Sequence, residues 1–194
     1  MDIAKKKKKA VEVYTMGCMA NFKGFIKNGL DSSTLINVIA IFDSEFEEFK
    51  KRGFGFPPNL FYYHKISWSE TIGVLINEHN FTKEEAKEGL KKLISQFNMK
   101  DIKRIDSDEL FEEMVEKANR NVIQKFNNPN LKIGDNDIII IGGFLRDKLN
   151  FAHSGDEGFL KTCEELGLNV MPLPKRDFDK EKEIKKWMKR RDLV

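Results

Sequence analysis

The sequence has few of the residues that mark secreted, membrane or nucleotide-binding proteins. Its 194 residues include only two cysteines, Cys18 and Cys163, which form neither a CxxC pair nor a disulfide scaffold. No apolar run approaches the roughly 18 residues of a membrane-spanning helix, and no signal-peptide core follows the first lysines. Neither GxGxxG nor GxxxxGK[ST] occurs, so no glycine-rich loop for a phosphate is indicated. We therefore expect a soluble, cytoplasmic protein that keeps its thiols reduced and has no membrane contact.

The net charge of +3 hides segments of opposite sign. Residues 1–9 contain five lysines and one aspartate, and residues 175–194 contain nine basic and five acidic residues, so both ends are basic. The residues between them are acidic overall. Basic segments bind nucleic-acid phosphates without sequence preference, although solvated charged arms are also common. The candidate nucleic-acid contacts are Lys5, Lys6, Lys7, Lys8, Lys9, Lys186, Arg190 and Arg191.

The length and composition predict one folded domain with basic extensions. A chain of 194 residues that is 40% hydrophobic and contains sixteen phenylalanines can bury a substantial core. We expect a flexible basic arm at residues 1–9, a domain at residues 10–174, and a basic helix or tail at residues 175–194.

Strand patterns and helix patterns alternate through residues 10–174. Strands are predicted at residues 10–15, 60–66, 102–105, 151–154 and 169–173. Amphipathic periodicity predicts helices between them, the first at residues 33–51. This alternation favours an α/β fold, a three-layer α/β/α sandwich with a mostly parallel central sheet.

Three short sequence patterns indicate where particular helices lie. Ser67 with Glu70, and Thr82 with Glu85, have the spacing of capping boxes at two helix starts. The four isoleucines at residues 138–141 fit either a buried strand or a buried helix. We assign them to a helix, because Phe151–Ser154 is the better strand.

Carboxylates follow the predicted strands. In a parallel sheet these positions share one edge, where functional groups collect. Clustered carboxylates repel one another, and hard cations such as Mg²⁺ or Mn²⁺ allow them to remain ionised together. Such a cluster suits metal-assisted hydrolysis of phosphodiesters. The residues are Glu70, Asp106, Asp108 and Asp156 after strands, and Asp135 and Asp137 before the isoleucine-rich helix.

The same carboxylates also fit purely structural roles. Asp137 and Asp156 stand where N-caps stand, and Asp106 and Asp108 fit caps of the following helix. Glu70 fits the capping-box partner of a serine three residues earlier. Single positions do not distinguish the two interpretations.

Three segments together resemble the C-terminal half of a PIN domain. Residues 134–146 read GDNDIIIIGGFLR, residues 151–159 read FAHSGDEGF, and residues 165–171 read ELGLNVM. In the PIN-domain family an Asp starts a helix of apolar and small residues. A strand ending in Thr or Ser then precedes a second Asp, and an LG(I/L)xV strand follows. Asp156 fits the second Asp, and Asp137 fits the first by its spacing, with Asp135 as the alternative.

The resemblance extends upstream and implies a function. Residues 65–75, KISWSETIGVL, resemble the family's strand and helix that carry an acidic Glu. The resemblance implies a ribonuclease dependent on Mg²⁺ or Mn²⁺, with Glu70, Asp137 and Asp156 as catalytic metal ligands and Asp135 as a further ligand. It also implies RNA as the substrate, and a homodimer, an antitoxin or another protein as the partner.

The N-terminal segment departs from the family pattern. PIN domains begin with a strand that runs into Asp-Thr/Ser-Asn, whose Asp is a principal metal ligand. Residues 11–22 have the corresponding shape, but Thr15 stands at the position of the Asp. A hydroxyl is a weak neutral ligand, so its presence would remove one negative charge from the site. The alternative hypothesis is therefore a degenerate PIN-like module that binds RNA or a protein without cleavage.

Overall fold

A computed structural model describes residues 25–41 and 59–172, which form a parallel sheet with helices on both faces. The sheet has five strands in the order β3-β2-β1-β4-β5, and every neighbouring pair is parallel. The strands are β1 Ile26–Leu30, β2 Asn59–His64, β3 Lys100–Ile102, β4 Phe151–Ser154 and β5 Asn169–Pro172. This confirms the predicted α/β class with a parallel sheet.

Six α-helices and two 3₁₀ turns connect these strands in the described residues. The helices are α1 Ser32–Ile41, α2 Lys65–His79, α3 Lys83–Phe97, α4 Glu109–Phe126, α5 Asp135–Arg146 and α6 Glu157–Glu165. The 3₁₀ turns are Asp106–Asp108 and Pro129–Leu131. Within the described ranges, no helix is long and apolar enough to cross a membrane. The predicted strand at residues 10–15 and both basic ends lie outside those ranges.

Two hydrophobic clusters place helices on opposite faces of the sheet. Phe61 and Tyr63 of β2 pack with residues of α1 and α3, whereas Tyr62 packs against the cluster formed by α4, α5 and α6. Successive residues of a strand point to opposite faces, so the two clusters lie on either side of the sheet. The arrangement is the predicted three-layer sandwich.

The isoleucine-rich segment is a helix, as predicted. Ile140 and Ile141 are fully buried in α5, as is Phe144 one turn later. The helix approaches the central strand closely, because a Cβ on Gly29 would lie 2.6 Å from the Phe144 ring. Only glycine at that position allows α5 to pack directly over β1.

Capping was predicted correctly for α3 and wrongly for α2. Thr82 and Glu85 form the predicted capping box, with Thr82 N donating to Glu85 Oε2 over 2.8 Å. Helix α2 begins earlier than predicted, at Lys65, and its N-cap is His64, whose Nδ1 accepts from Ile66 N over 3.2 Å. Ser67 therefore lies inside the helix and is fully buried. The strand passes into the helix without a loop, so Glu70 is not a capping-box partner.

The central strand β1 was not predicted from the sequence. It lies between β2 and β4, with Leu30 paired to both Tyr63 and His153. Strands β2 and β3 lie on one side of β1, and β4 and β5 lie on the other. The direction in which the chain adds strands therefore reverses after β3. In an open parallel sheet, a crevice forms at such a reversal, beyond the carboxyl ends of the two strands. Here it lies beyond Leu30 and Ser154.

Candidate metal centre

Asp31 occupies the carboxyl end of the central strand and is buried, with 4% of its surface exposed. It caps α1, since its Oδ1 accepts from Thr34 N over 3.0 Å and its carbonyl accepts from Leu35 N over 3.2 Å. Sequence reasoning missed this residue because it missed the strand. The available signal was an Asp-Ser-Ser triplet immediately before an amphipathic helix. Thr15, the residue assigned to this motif position, lies outside the described residues.

Two serine hydroxyls orient the Asp31 carboxylate. Ser33 Oγ donates to Asp31 Oδ1 over 2.7 Å and accepts from Gly155 N over 2.7 Å. Ser154 Oγ donates to Asp31 Oδ2 and accepts from Asp156 N over 2.9 Å. Each hydroxyl has one proton, and the amide it accepts from occupies a lone pair. Both protons therefore point to Asp31, an arrangement that suits an ionised carboxylate.

Burial and hydrogen bonding act in opposite directions on Asp31. Burial raises its pKa above the ordinary value, because removal from water disfavours the charged form. The hydrogen bonds from Ser154, Thr34 and Ser33 lower the pKa and offset part of that effect. Burial is the larger of the two effects, so the pKa of Asp31 stays above its ordinary value.

Asp137 is the residue whose titration the other acidic groups affect most clearly. It lies in the first turn of α5, half-buried, and its Oδ2 accepts from Gly134 N over 3.1 Å. Its pKa is raised to about 6, chiefly by burial and further by the negative charges of Asp31, Asp156 and Glu70. Gly134 is the N-cap of α5, so Asp137 is not the N-cap residue; it stands at the third helical position and accepts from the N-cap amide.

Asp156 and Glu70 complete the group from two other elements. Asp156 caps α6, since its Oδ1 accepts from Phe159 N over 2.6 Å, which confirms the structural role considered for it. Glu70 lies on α2, and its Oε1 accepts from Asn136 Nδ2 over 2.6 Å. In both cases one carboxylate oxygen makes the bond and the second oxygen remains for another ligand.

The other predicted carboxylates lie differently. Asp135 is exposed at the first residue of α5, and its charge is not among those that raise the pKa of Asp137. Asp108 is fully buried and pairs with Arg146 Nη1 over 2.7 Å, while Ile105 N donates to its Oδ2. Asp106 is exposed in the 3₁₀ turn. The predicted lysine and arginine contacts at both chain ends lie outside the described residues.

Within the described part of the chain, the donors that bond to these four carboxylates are neutral. Asp31, Glu70, Asp137 and Asp156 receive bonds from hydroxyls, backbone amides and one side-chain amide. Among residues 25–41 and 59–172, none of the four forms an ion pair. Asp31 is buried, Glu70 and Asp137 are half-buried, and Asp156 is exposed. For the first three, a negative charge without a basic partner is costly. A cation would compensate them.

The donor chemistry fits a hard divalent cation. Carboxylate oxygens are the ligands that Mg²⁺ and Mn²⁺ prefer. Within the described ranges, no three His, Cys, Asp or Glu side chains form a ready-made metal cage. Asp31, Glu70 and Asp156 lie near enough for their charges to raise the pKa of Asp137.

Comparison with known proteins supports the fold. No protein-family model and no curated protein matches the sequence. Among solved structures, a chain of VapBC2 from Rickettsia felis, bound to a DNA fragment from its promoter, has a TM-score of 0.55 and 14% identity. A chain of DNA-bound VapBC from Salmonella typhimurium has a TM-score of 0.51 and 14% identity. Each alignment covers 76% of this chain and 98% of the other. With the strand order and the sequence motifs, these similarities show that the chain has a PIN-like fold.

Proposed function

We propose that this protein is a PIN-like ribonuclease that depends on Mg²⁺ or Mn²⁺. The observation that supports the proposal is the placement of four acidic residues at this end of the sheet: Ser154 Oγ bonds to both Asp31 and the Asp156 amide, and Glu70 bonds to Asn136 beside Asp137. Three of these carboxylates raise the pKa of the fourth, and no basic side chain of the described residues pairs with any of them. Such a concentration of negative charge is unfavourable for an RNA phosphate unless a cation lies between them.

The four carboxylates would hold the metal ion. Each lies in a different part of the fold, where hydrogen bonds orient it. Ser33 and Ser154 donate hydrogen bonds to Asp31 and fix its orientation. The amide of Phe159 fixes Asp156 at the start of α6, and Gly134 N does the same for Asp137. A bound divalent cation supplies an activated water and stabilises charge on the phosphate. The protein's contribution is to assemble ionised oxygen ligands in a partly buried crevice.

Asp31 favours cleavage over the non-cleaving alternative. That alternative rested on the loss of an acid at the end of the first strand of the motif. In the described residues, the central strand ends in an acid, and its charge contributes to the raised pKa of Asp137. We therefore take Asp31 as the first metal ligand, together with Glu70, Asp137 and Asp156.

A protein partner is also part of the proposal. Both similar structures are VapBC complexes bound to DNA. By analogy, we propose that this chain binds a protein partner of the antitoxin kind. We also propose that the basic ends contact RNA. Co-expression with the neighbouring reading frames, followed by purification through a tag on this chain, tests the first point. Capture of no stoichiometric protein would contradict it.

Cleavage of labelled RNA tests the ribonuclease function. We expect cleavage in the presence of Mn²⁺, its loss with EDTA, and roughly a 100-fold or larger loss in Asp31→Asn, as when one strong electrostatic contact of a transition state is removed. Asp106→Asn is the matched control, because Asp106 is an exposed carboxylate outside the group. Cleavage that survives EDTA, or full activity of Asp31→Asn, would overturn the proposal. Salt-sensitive RNA binding without cleavage would favour the binding module instead.

A further inference from the structure

The orientation of Glu70 depends on a contact between two helices. Glu70 lies on α2, and Asn136 lies in the first turn of α5, next to Asp137. Asn136 Nδ2 donates to Glu70 Oε1 over 2.6 Å. Among the described residues, this is the one hydrogen bond to the Glu70 carboxylate, which also forms no ion pair there. Asn136 therefore sets where this carboxylate lies.

The chemistry of the donor matters as much as its position. A lysine or arginine at position 136 would hold Glu70 equally well but would cancel its charge. An acidic residue there would repel it. A side-chain amide donates a hydrogen bond and carries no charge, so it holds the carboxylate and leaves its charge available to a cation.

We propose that Asn136 is a positioning residue that holds Glu70 at the acidic group formed with Asp31, Asp137 and Asp156, ready to bind a divalent cation. The inference rests on the proposed function, since it assigns a role within the same metal centre. It was not anticipated from the sequence, where Asn136 stands between the two candidate ligands Asp135 and Asp137.

Flexibility explains why Glu70 needs such a partner. The other three carboxylates belong to Asp side chains, each of which accepts a backbone amide of its own segment. The Glu70 side chain has one more methylene than an Asp side chain, and it lies inside α2, not at its start. Among the described residues, its carboxylate accepts no backbone N–H. Fixing a Glu side chain costs rotamer entropy, more than fixing a shorter side chain does. With Asn136 present, the ordering is achieved before the cation arrives.

Mn²⁺ titration of the full-length protein tests this role directly. We expect Asn136→Ala to bind Mn²⁺ about tenfold more weakly, the lower end of the effect of partners that orient metal ligands. The matched control is Asn77→Ala, an exposed asparagine on the same helix as Glu70, which should leave the affinity unchanged. Thermal unfolding without metal shows that both variants remain folded.

A double-variant cycle separates positioning from a general effect. If Asn136 acts through Glu70, adding Asn136→Ala to Glu70→Ala should weaken Mn²⁺ binding no further. Additive losses, or an Asn136→Ala variant with unchanged affinity, would overturn the inference alone. A wild-type protein that binds no Mn²⁺ would overturn the metal-dependent function and the inference together.

Discussion

At the residue scale, the acidic group shows how neutral donors orient a buried carboxylate without pairing it with a basic side chain. Asp31 accepts from two serine hydroxyls, and each hydroxyl is itself oriented by a backbone amide of residues 155 and 156. Asp108 illustrates the opposite solution, because its charge is compensated by Arg146 over 2.7 Å. A carboxylate neutralised by arginine has little left for a cation. The uncompensated group is thus the one suited to metal binding.

Ser33→Ala should weaken metal binding while the fold remains. The substitution removes one of the donors that orient Asp31 and leaves Gly155 N without its acceptor. We expect Mn²⁺ affinity to fall about tenfold and the free energy of unfolding to fall by about 1 kcal/mol. Mn²⁺ titration and urea denaturation measure the two effects. Ser95→Ala, on an exposed site of α3, is the control. Equal Mn²⁺ affinity in both variants would contradict the role given to Ser33.

Thr71→Val should stabilise the protein. Thr71 is fully buried on α2, and its hydroxyl has no hydrogen-bond partner among the described residues. Valine has nearly the same shape without the polar group, so we expect the free energy of unfolding to rise by about 1 kcal/mol. The matched control is Thr162→Val, since Thr162 is equally buried but donates to Gly158 O over 2.8 Å and accepts from Asn119 over 2.9 Å.

Thr162→Val should therefore destabilise by about 1–3 kcal/mol. Urea denaturation of both variants gives the comparison. A destabilised Thr71→Val protein would show that its hydroxyl has a partner, such as a buried water, and would contradict the prediction.

At the element scale, most local signals were predicted well, the capping box at Ser67 being the exception, and long-range ones were not. The cap at Asp156, the box at Thr82 and the strand Phe151–Ser154 depend on residues close in sequence. Strand β1 reads IKNGL, and Lys, Asn and Gly all disfavour strands. It forms because distant groups satisfy it, including Asn59 Oδ1 and Leu60 O, which accept from the buried Asn28 side chain.

The same distinction decides how much of the site was predictable. Glu70, Asp137 and Asp156 follow from motifs within single segments, and the charges of Glu70 and Asp156 act on Asp137 in the fold. Their role as metal ligands stays a prediction. Predicting Asp31 requires recognising β1 as a strand, and β1 is stabilised by pairing with β2 and β4. Asn136 and Ser33 act across elements, so their contacts appear only once the helices and loops are placed. Short-range patterns cannot supply such pairs.

Arg146→Met should destabilise the protein strongly. Arg146 joins the end of α5 to the 3₁₀ turn through Asp108, whose side chain is 0% exposed. Removal of the arginine leaves a buried carboxylate without its cation, which typically costs about 3–5 kcal/mol. Arg104→Met is the control, because Arg104 is half exposed in its pair with Glu112, and such pairs contribute about 1 kcal/mol or less. Urea denaturation that gave equal losses for both variants would contradict this assignment.

At the scale of the whole molecule, the site lies where the chain reverses its direction of strand addition. The crevice beyond β1 and β4 receives Asp31 and Asp156, and helices α2 and α5 bring Glu70 and Asp137 to it. Assembling these charges costs stability, which the hydrophobic clusters on both faces of the sheet offset. Functional sites commonly carry such a cost.

Asp137→Asn should therefore raise stability and abolish stabilisation by metal. The pKa of Asp137 is about 6 in the folded protein, above the ordinary value of 3.8, so folding favours its protonated form. The charged form destabilises the fold above pH 6, and this cost disappears as the pH falls through 6 towards 4. Asparagine resembles the protonated acid. We expect the variant to gain roughly 1–2 kcal/mol at pH 7.5, allowing for partial solvent screening, and the gain to vanish near pH 4.

Urea denaturation across pH measures this difference. His153, whose pKa is lowered to about 4 by burial, destabilises both proteins equally as the pH falls below about 6.5, because the unfolded state then binds its proton more readily. Its contribution cancels in the comparison. Asp106→Asn, at an exposed site, should change stability by no more than about 0.5 kcal/mol at any pH. With Mn²⁺ at 100 times its dissociation constant, the wild type should gain about 2.7 kcal/mol and Asp137→Asn much less. A variant less stable than wild type at pH 7.5 without metal would show that Asp137 serves the fold instead of the metal centre.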